Sequence, residues 1–242
     1  DENRSKAMAA IGMIFGLSFA AALIIGPAVY GTFGLSGIFY LTVIFAAIAL
    51  PLLFLLPNPP KLTQANRSKS DESDQHQINK QKNFIAILKR PQLMRLNFSI
   101  FAQHAIMVIL FLDLPHLLSS RVGLSAHQQT PFYLIVLFIA FFAMVPFIIN
   151  AEKNRRIKGT LLSAIATLGL SQLLLWVSPA NVWNIGIILC LFFTAFTLLE
   201  SILPSLVSKM APLTIKGAAM GVYSTSQFFG IAGAMVPVVF GI

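Results

Sequence analysis

Residues 5–31 read SKAMAAIGMIFGLSFAAALIIGPAVYG. Between Lys6 and Gly31 the stretch holds no charged residue, and it is long enough to cross a bilayer core of ~30 Å as a helix of about 20 residues. Shifting the chain by 210 positions lays this stretch over residues 215–241, IKGAAMGVYSTSQFFGIAGAMVPVVFG. Lys6 then meets Lys216, Ala9 meets Ala219, Ala22 meets Ala232, Pro27 meets Pro237 and Gly31 meets Gly241. A basic residue at the entrance and a matched Pro and Gly at the far end suggest two copies of one element in the same orientation.

The rest of the chain has the same character. Of its 242 residues 57% are hydrophobic and 10% charged, and the mean hydropathy is +0.80. Soluble domains carry about 25% charged residues, so the composition excludes an ordinary soluble globule and a disordered chain. Apolar runs fall at 8–31, 35–57, 93–118, 130–150, 158–178, 182–207 and 217–242, which predicts seven transmembrane helices. Runs of this length exclude an outer-membrane barrel, whose strands would be ~10 residues of alternating pattern. In lipid the backbone must satisfy itself, so each run is expected to be helical. The short connections at 32–34, 151–157 and 179–181 predict antiparallel neighbours.

The net charge of +9 is distributed by side. Sixteen of the 17 Lys and Arg residues lie in the N-terminal segment or the even-numbered connections, and Arg121 stands alone in the odd ones. The positive-inside rule therefore places the N-terminal segment, 58–91, 151–157 and the 208–216 turn in the cytoplasm, with 119–129 outside. This reading of the charge leaves no role for nucleic acid. The polar connection at 58–91 is read as a linker between two bundles. Its end, NKQKNFIAILKR before Pro91, is open to two readings: a short interfacial helix carrying Phe84, Ile85, Ile87 and Leu88, or a solvated loop.

If residues 5–31 and 215–241 are the first and seventh helices, the repeat unit is six helices, and parallel six-helix repeats joined by a long cytoplasmic linker are the plan of major facilitator transporters. Gly12, Gly16, Ala22, Gly26-Pro27 and Gly31 resemble the fifth-helix motif of the drug:proton antiporter branch of that superfamily, which ends in GPxxGG. Here Tyr30 replaces the first Gly of the closing pair, and Ala22 stands where a Gly is usual. Leu198-Leu199-Glu200, Leu203-Pro204-Ser205-Leu206, Ser208-Lys209 and Ala211-Pro212 resemble the LLExxLPSLxSKxAP segment of a bacterial efflux-like subgroup.

The resemblance implies an all-α membrane protein: a partial major-facilitator bundle with seven of an expected twelve helices, numbers five to eleven. Residues 1–57 would end the N-terminal half, 58–91 would be the cytoplasmic central loop, and 92–242 would be most of the C-terminal half. The chain opens without Met and stops inside an apolar run, so it is read as a piece of a longer polypeptide whose other helices are its partners. The resemblance further implies a bacterial inner membrane, and proton-coupled efflux of a small molecule by alternating access. It implies close helix packing at Gly26, Pro27 and Gly31, and a cytoplasmic cluster of Glu152, Arg155 and Arg156 in the loop between helices eight and nine. A metabolite symporter or uniporter on the same fold is the alternative. A membrane-embedded enzyme or sensor using Asp113, His116 or His104 is a more distant one.

Asp113, His104 and Glu200 are the ionisable residues well inside the expected spans. A charged group at the bilayer centre costs at least ~2.5–3.5 kcal/mol, so each should face protein or water. His104, its neighbour Gln103, Asp113 and Glu200 are therefore candidates for a proton or substrate pathway, which the resemblance places on the cavity-lining helices seven and ten. Asp113 and His104, nine residues apart, fall on roughly opposite helix faces, whereas Asp113 and His116 are within reach of each other. The sequence holds no HExxH, CxxC, GxSxG or P-loop pattern. With a single Cys and four His, no metal site, cofactor or enzymatic centre is expected.

Overall fold

The computed structural model describes residues 2–55, 87–153, 156–212 and 215–240, with side chains left out for most residues before Ala28, for Leu53, for Glu152 and for 237–240. The described residues form α1 (Glu2–Leu52), a 3-10 turn (Leu53–Leu55), α2 (Pro91–Ser120), α3 (Ala126–Lys153), α4 (Ile157–Val177), α5 (Val182–Met210) and α6 (Lys216–Phe240).

Seven separate spans were expected; the described residues form six helical elements, of which α1 joins two helices across a kink. The first two apolar runs form the single element α1, and the connection expected at 32–34 is a break at one residue, Gly34, with φ 63° and ψ −159°. Such backbone is accessible essentially to glycine alone. Just before the break Thr32 Oγ1 donates to the carbonyls of Ala28 and Val29 at 3.0 and 3.3 Å, the kind of back-bond that accompanies helix bending. Among the described residues, five stretches are long and apolar enough to cross a membrane: Ala28–Leu52 within α1, then α2, Ala126–Ala151 within α3, α4 and α5. The last expected run forms α6, whose central Ser224-Thr225-Ser226-Gln227 dilutes its apolar character.

Local chemistry sets the helix ends. Pro91 opens α2, where its missing N–H and fixed φ are harmless. The Asn181 side chain caps α5 by accepting from the Asn184 backbone N–H at 2.9 Å. Ala211, extended, ends it just before Pro212. Before α2, Arg90 N–H closes a turn on the Ile87 carbonyl at 3.0 Å. Ile87 is fully buried in the core while Leu88 is exposed; Phe84 and Ile85 lie outside the described residues.

The core is organised around α5, which packs against α1, α2, α3, α4 and α6. Phe192 and Phe193 are its deepest side chains. Phe193 meets Phe111 of α2 with ring centroids 5.8 Å apart, and Phe111 meets Tyr133 of α3 at 6.3 Å. The most extensive helix contact among the described residues is between α2 and α6. A Cβ added at Gly230 would stand 3.0 Å from the carbonyl carbon of Phe101, so the absence of a side chain is what lets the two backbones approach. Most large apolar side chains of α1 after Tyr30 face outward, as suits a helix against lipid or other helices.

Candidate functional site

Glu200 lies on α5, between Phe196 and Leu203, at the level where α2 and α6 converge. Gln103 Nε2 donates to Glu200 Oε1 at 2.9 Å and to the Phe196 carbonyl at 3.2 Å. His104 Nε2 stands 3.6 Å from the same carboxylate oxygen, and the two side chains are 6% and 13% exposed. The His104 ring is tilted against Phe196, with centroids 5.5 Å apart. Consecutive residues of α2, 103 and 104, thus deliver an amide and an imidazole to one carboxylate on another helix.

The orientation of His104 follows from its two neighbours. Nδ1 lies 3.2 Å from the Ile100 carbonyl, which can only accept, so Nδ1 carries the hydrogen. Nε2 of the neutral ring is then an acceptor, and Gln227 Nε2 of α6 donates to it at 2.8 Å. If Nε2 is protonated instead, it faces the Glu200 carboxylate as a cation. The carboxylate of α5, the imidazole of α2 and the amide of α6 thus meet at His104 Nε2. Tyr223, buried one turn before Gln227, lies within electrostatic reach of Glu200. Among the described residues no Lys or Arg pairs with Glu200.

Asp113 and His116 are elsewhere. Both are exposed on α2 and line a cavity of about 320 Å³ with Arg121, Gln172 and Trp176; no hydrogen bond or ion pair is found between them. A larger cavity of about 700 Å³ lies between α3, α4 and α5. Its lining is almost wholly apolar, with Cys190 and Thr194 among its few polar side chains and no carboxylate or imidazole. At Gly26 and Gly31 an added Cβ would meet nothing within 4 Å among the described residues; the Pro27 side chain lies outside them. Arg156 is exposed at the start of α4, its backbone N–H bonded to the Ala151 carbonyl at 3.0 Å. Arg155 and the Glu152 side chain lie outside the described residues.

The sequence profile of the Major Facilitator Superfamily matches residues 1–235. The chain belongs to that superfamily. It is 36% identical over 238 residues to the inner membrane transport protein YajR of Escherichia coli (strain K12), covering 96% of this chain and 49% of that protein. It is 28% identical over 232 residues to the uncharacterized transporter BU466 of Buchnera aphidicola subsp. Acyrthosiphon pisum, covering 96% and 57%. A further uncharacterized transporter, from Buchnera aphidicola subsp. Baizongia pistaciae, is 29% identical over 233 residues, covering 94% and 56%. The chain thus spans about half the length of the curated relatives it matches. Membership of the Major Facilitator Superfamily agrees with the several helices long and apolar enough to cross a membrane among the described residues.

Sequence reasoning reached His104, Gln103 and Glu200 as separate candidates. It did not find Gln227 or the Phe196 carbonyl. One signal was available: Gln227 is the sole amide side chain in the last apolar run.

Proposed function

We propose that this chain supplies part of a proton-coupled secondary transporter that exports small molecules by alternating access. The observation that carries the reading is the Glu200 carboxylate, enclosed at the meeting of α2, α5 and α6 and paired with Gln103 and His104 but with no fixed cation among the described residues. A carboxylate so placed changes its partners when it gains a proton: the acceptor that Gln103 uses becomes a carboxyl, and the pull on His104 disappears. Those changes bear on three helices at once, as a coupling residue requires.

In this reading the arms of α1 on either side of Gly34 are the fifth and sixth helices, and α2 to α6 are the seventh to eleventh. Residues 1–57 close the first half, 58–91 link the halves, and 92–242 form most of the second. Gly26, Pro27 and Gly31 then pack against helices outside this chain, and Glu152, Arg155 and Arg156 form the cytoplasmic cluster between the eighth and ninth helices. Asp113 remains a candidate for the outer end of the substrate path.

The test uses the full-length polypeptide in proteoliposomes with an imposed pH gradient and a panel of fluorescent organic cations, ethidium among them. Glu200→Gln is expected to abolish gradient-driven movement of whichever cation the parent protein carries, and Glu200→Asp to retain part of it. A Gln variant that moves the cation at the parent rate would refute the coupling role.

A further inference from the structure

Asn97 lies on α2 seven residues before His104. Two turns of helix separate them by ~10.5 Å and leave them on nearly the same face. Asn97 is 3% exposed, yet neither its Nδ2 nor its Oδ1 has a hydrogen-bond partner among the described residues. Gln103 Oε1 is enclosed and unpartnered in the same way. Around Asn97 on its own helix, Leu93, Leu96 and Ile100 are buried and apolar and can pair with nothing. An enclosed amide with both ends unmade is costly, and buried polar groups of this kind are the usual anchors of ordered water, each water making two to four hydrogen bonds.

The position of Asn97 gives such water a task. It stands between the Glu200–His104 cluster and the end of α2 that carries Lys89, Arg90 and Arg95, which is cytoplasmic by the distribution of positive charge. The titratable groups around the route are Glu200 on α5, His104 on α2 and Tyr223 on α6. At its cytoplasmic end stand the exposed Arg95 and Lys209 and the half-exposed Lys216.

We infer that Asn97 holds a short file of water through which protons pass between the cytoplasmic face and the Glu200–His104 cluster. The inference rests on the coupling role proposed for Glu200. Asn97 Nδ2–H donates to one water oxygen and Oδ1 accepts one water hydrogen, so the amide orients the file without being protonated. A proton entering from bulk water binds the first water. Each water in turn passes one proton inward, and the last O–H breaks as Glu200 gains the proton. One positive charge enters, one carboxylate is neutralised, and every water is restored.

The test is a pH jump on the full-length protein in liposomes, followed by infrared spectroscopy. The Glu200 carboxyl C=O band is identified by its loss in Glu200→Gln. Asn97→Leu is expected to slow the appearance of that band about tenfold or more, the factor to which ~1.4 kcal/mol of lost hydrogen bonding along the path corresponds, while Asn97→Ser keeps a rate near the parent's. Thermal melting gives a second readout. A dry, unpaired amide would make the leucine variant more stable, whereas a hydrated one would not. An unchanged rate in Asn97→Leu, or a leucine variant that is more stable and equally fast, overturns the water file alone. A parent protein with no titrating Glu200 band overturns the coupling role and the file with it.

Discussion

Gly230→Ala is the most direct test of how α2 and α6 hold the site. The added Cβ would lie 3.0 Å from the Phe101 carbonyl carbon and 3.1 Å from its Cα, and closer still to the carbonyl oxygen. Carbon atoms settle at ~3.5–4.0 Å, and every obstructing atom belongs to backbone, so relief requires the two helices to part by ~0.5–1 Å. Overpacking of this kind costs ~1–3 kcal/mol. One turn away, the Gln227–His104 bond of 2.8 Å spans the same two helices, and stretching it forfeits a further ~0.5–1.5 kcal/mol. Alanine's better helix propensity returns ~1 kcal/mol. The net expectation is a loss of about 1–3 kcal/mol, read as a fall in Tm of several degrees when the full-length protein is melted in detergent under circular dichroism. Gly233→Ala, on the same helix with nothing within 4 Å of the added carbon, is the control and should melt at or above the parent. If Gly230→Ala melts no lower than Gly233→Ala, the close approach of α2 and α6 is not what holds them together.

Three further outcomes are expected. Gly34→Ala should lose ~1–3 kcal/mol from backbone strain although the space around it is open, whereas Gly31→Ala should not; equal melting temperatures for the two would remove the argument from φ. Phe193→Ala, which empties a nearly fully buried ring site, should cost ~3–5 kcal/mol, and a loss below 1 kcal/mol on denaturation would show that the site collapses around the gap. With Cys190 replaced, single cysteines in the 119–129 connection should react with an impermeant maleimide on intact cells, and those in 58–91 should not. Labelling within 58–91 without permeabilisation would invert the assigned orientation.

The membrane helices were legible because their signal is local: a run of apolar residues between clusters of Lys and Arg declares itself within 25 positions. The Gly34 break was not, since hydropathy marks where apolar character dips and says nothing about whether the chain loops out or turns at one residue. The site divides the same way. Glu200 and His104 stand out as ionisable groups in apolar surroundings, which any single helix reveals. That Gln103 and His104 serve Glu200 depends on how α2 packs on α5, across 97 residues of sequence for the Gln103 bond. Gln227 is further still, 123 residues from His104, and polar residues in membrane helices too often bond their own backbone, as Thr225 and Ser226 do here, for one amide to announce a distant partner.

The single-residue break in α1 has a mechanical consequence. From Leu35 to Leu52 the second arm is helical, 17 steps or ~26 Å at 1.5 Å per residue. With one glycine as the joint, a torsional change of ~10° at Gly34 swings the tip of that arm by ~4–5 Å, a displacement comparable to one helical turn. A connection of several residues would absorb such a rotation among many bonds and transmit little of it. A rigid lever on a one-residue pivot instead converts a small twist at one end of the membrane into a lateral movement at the other.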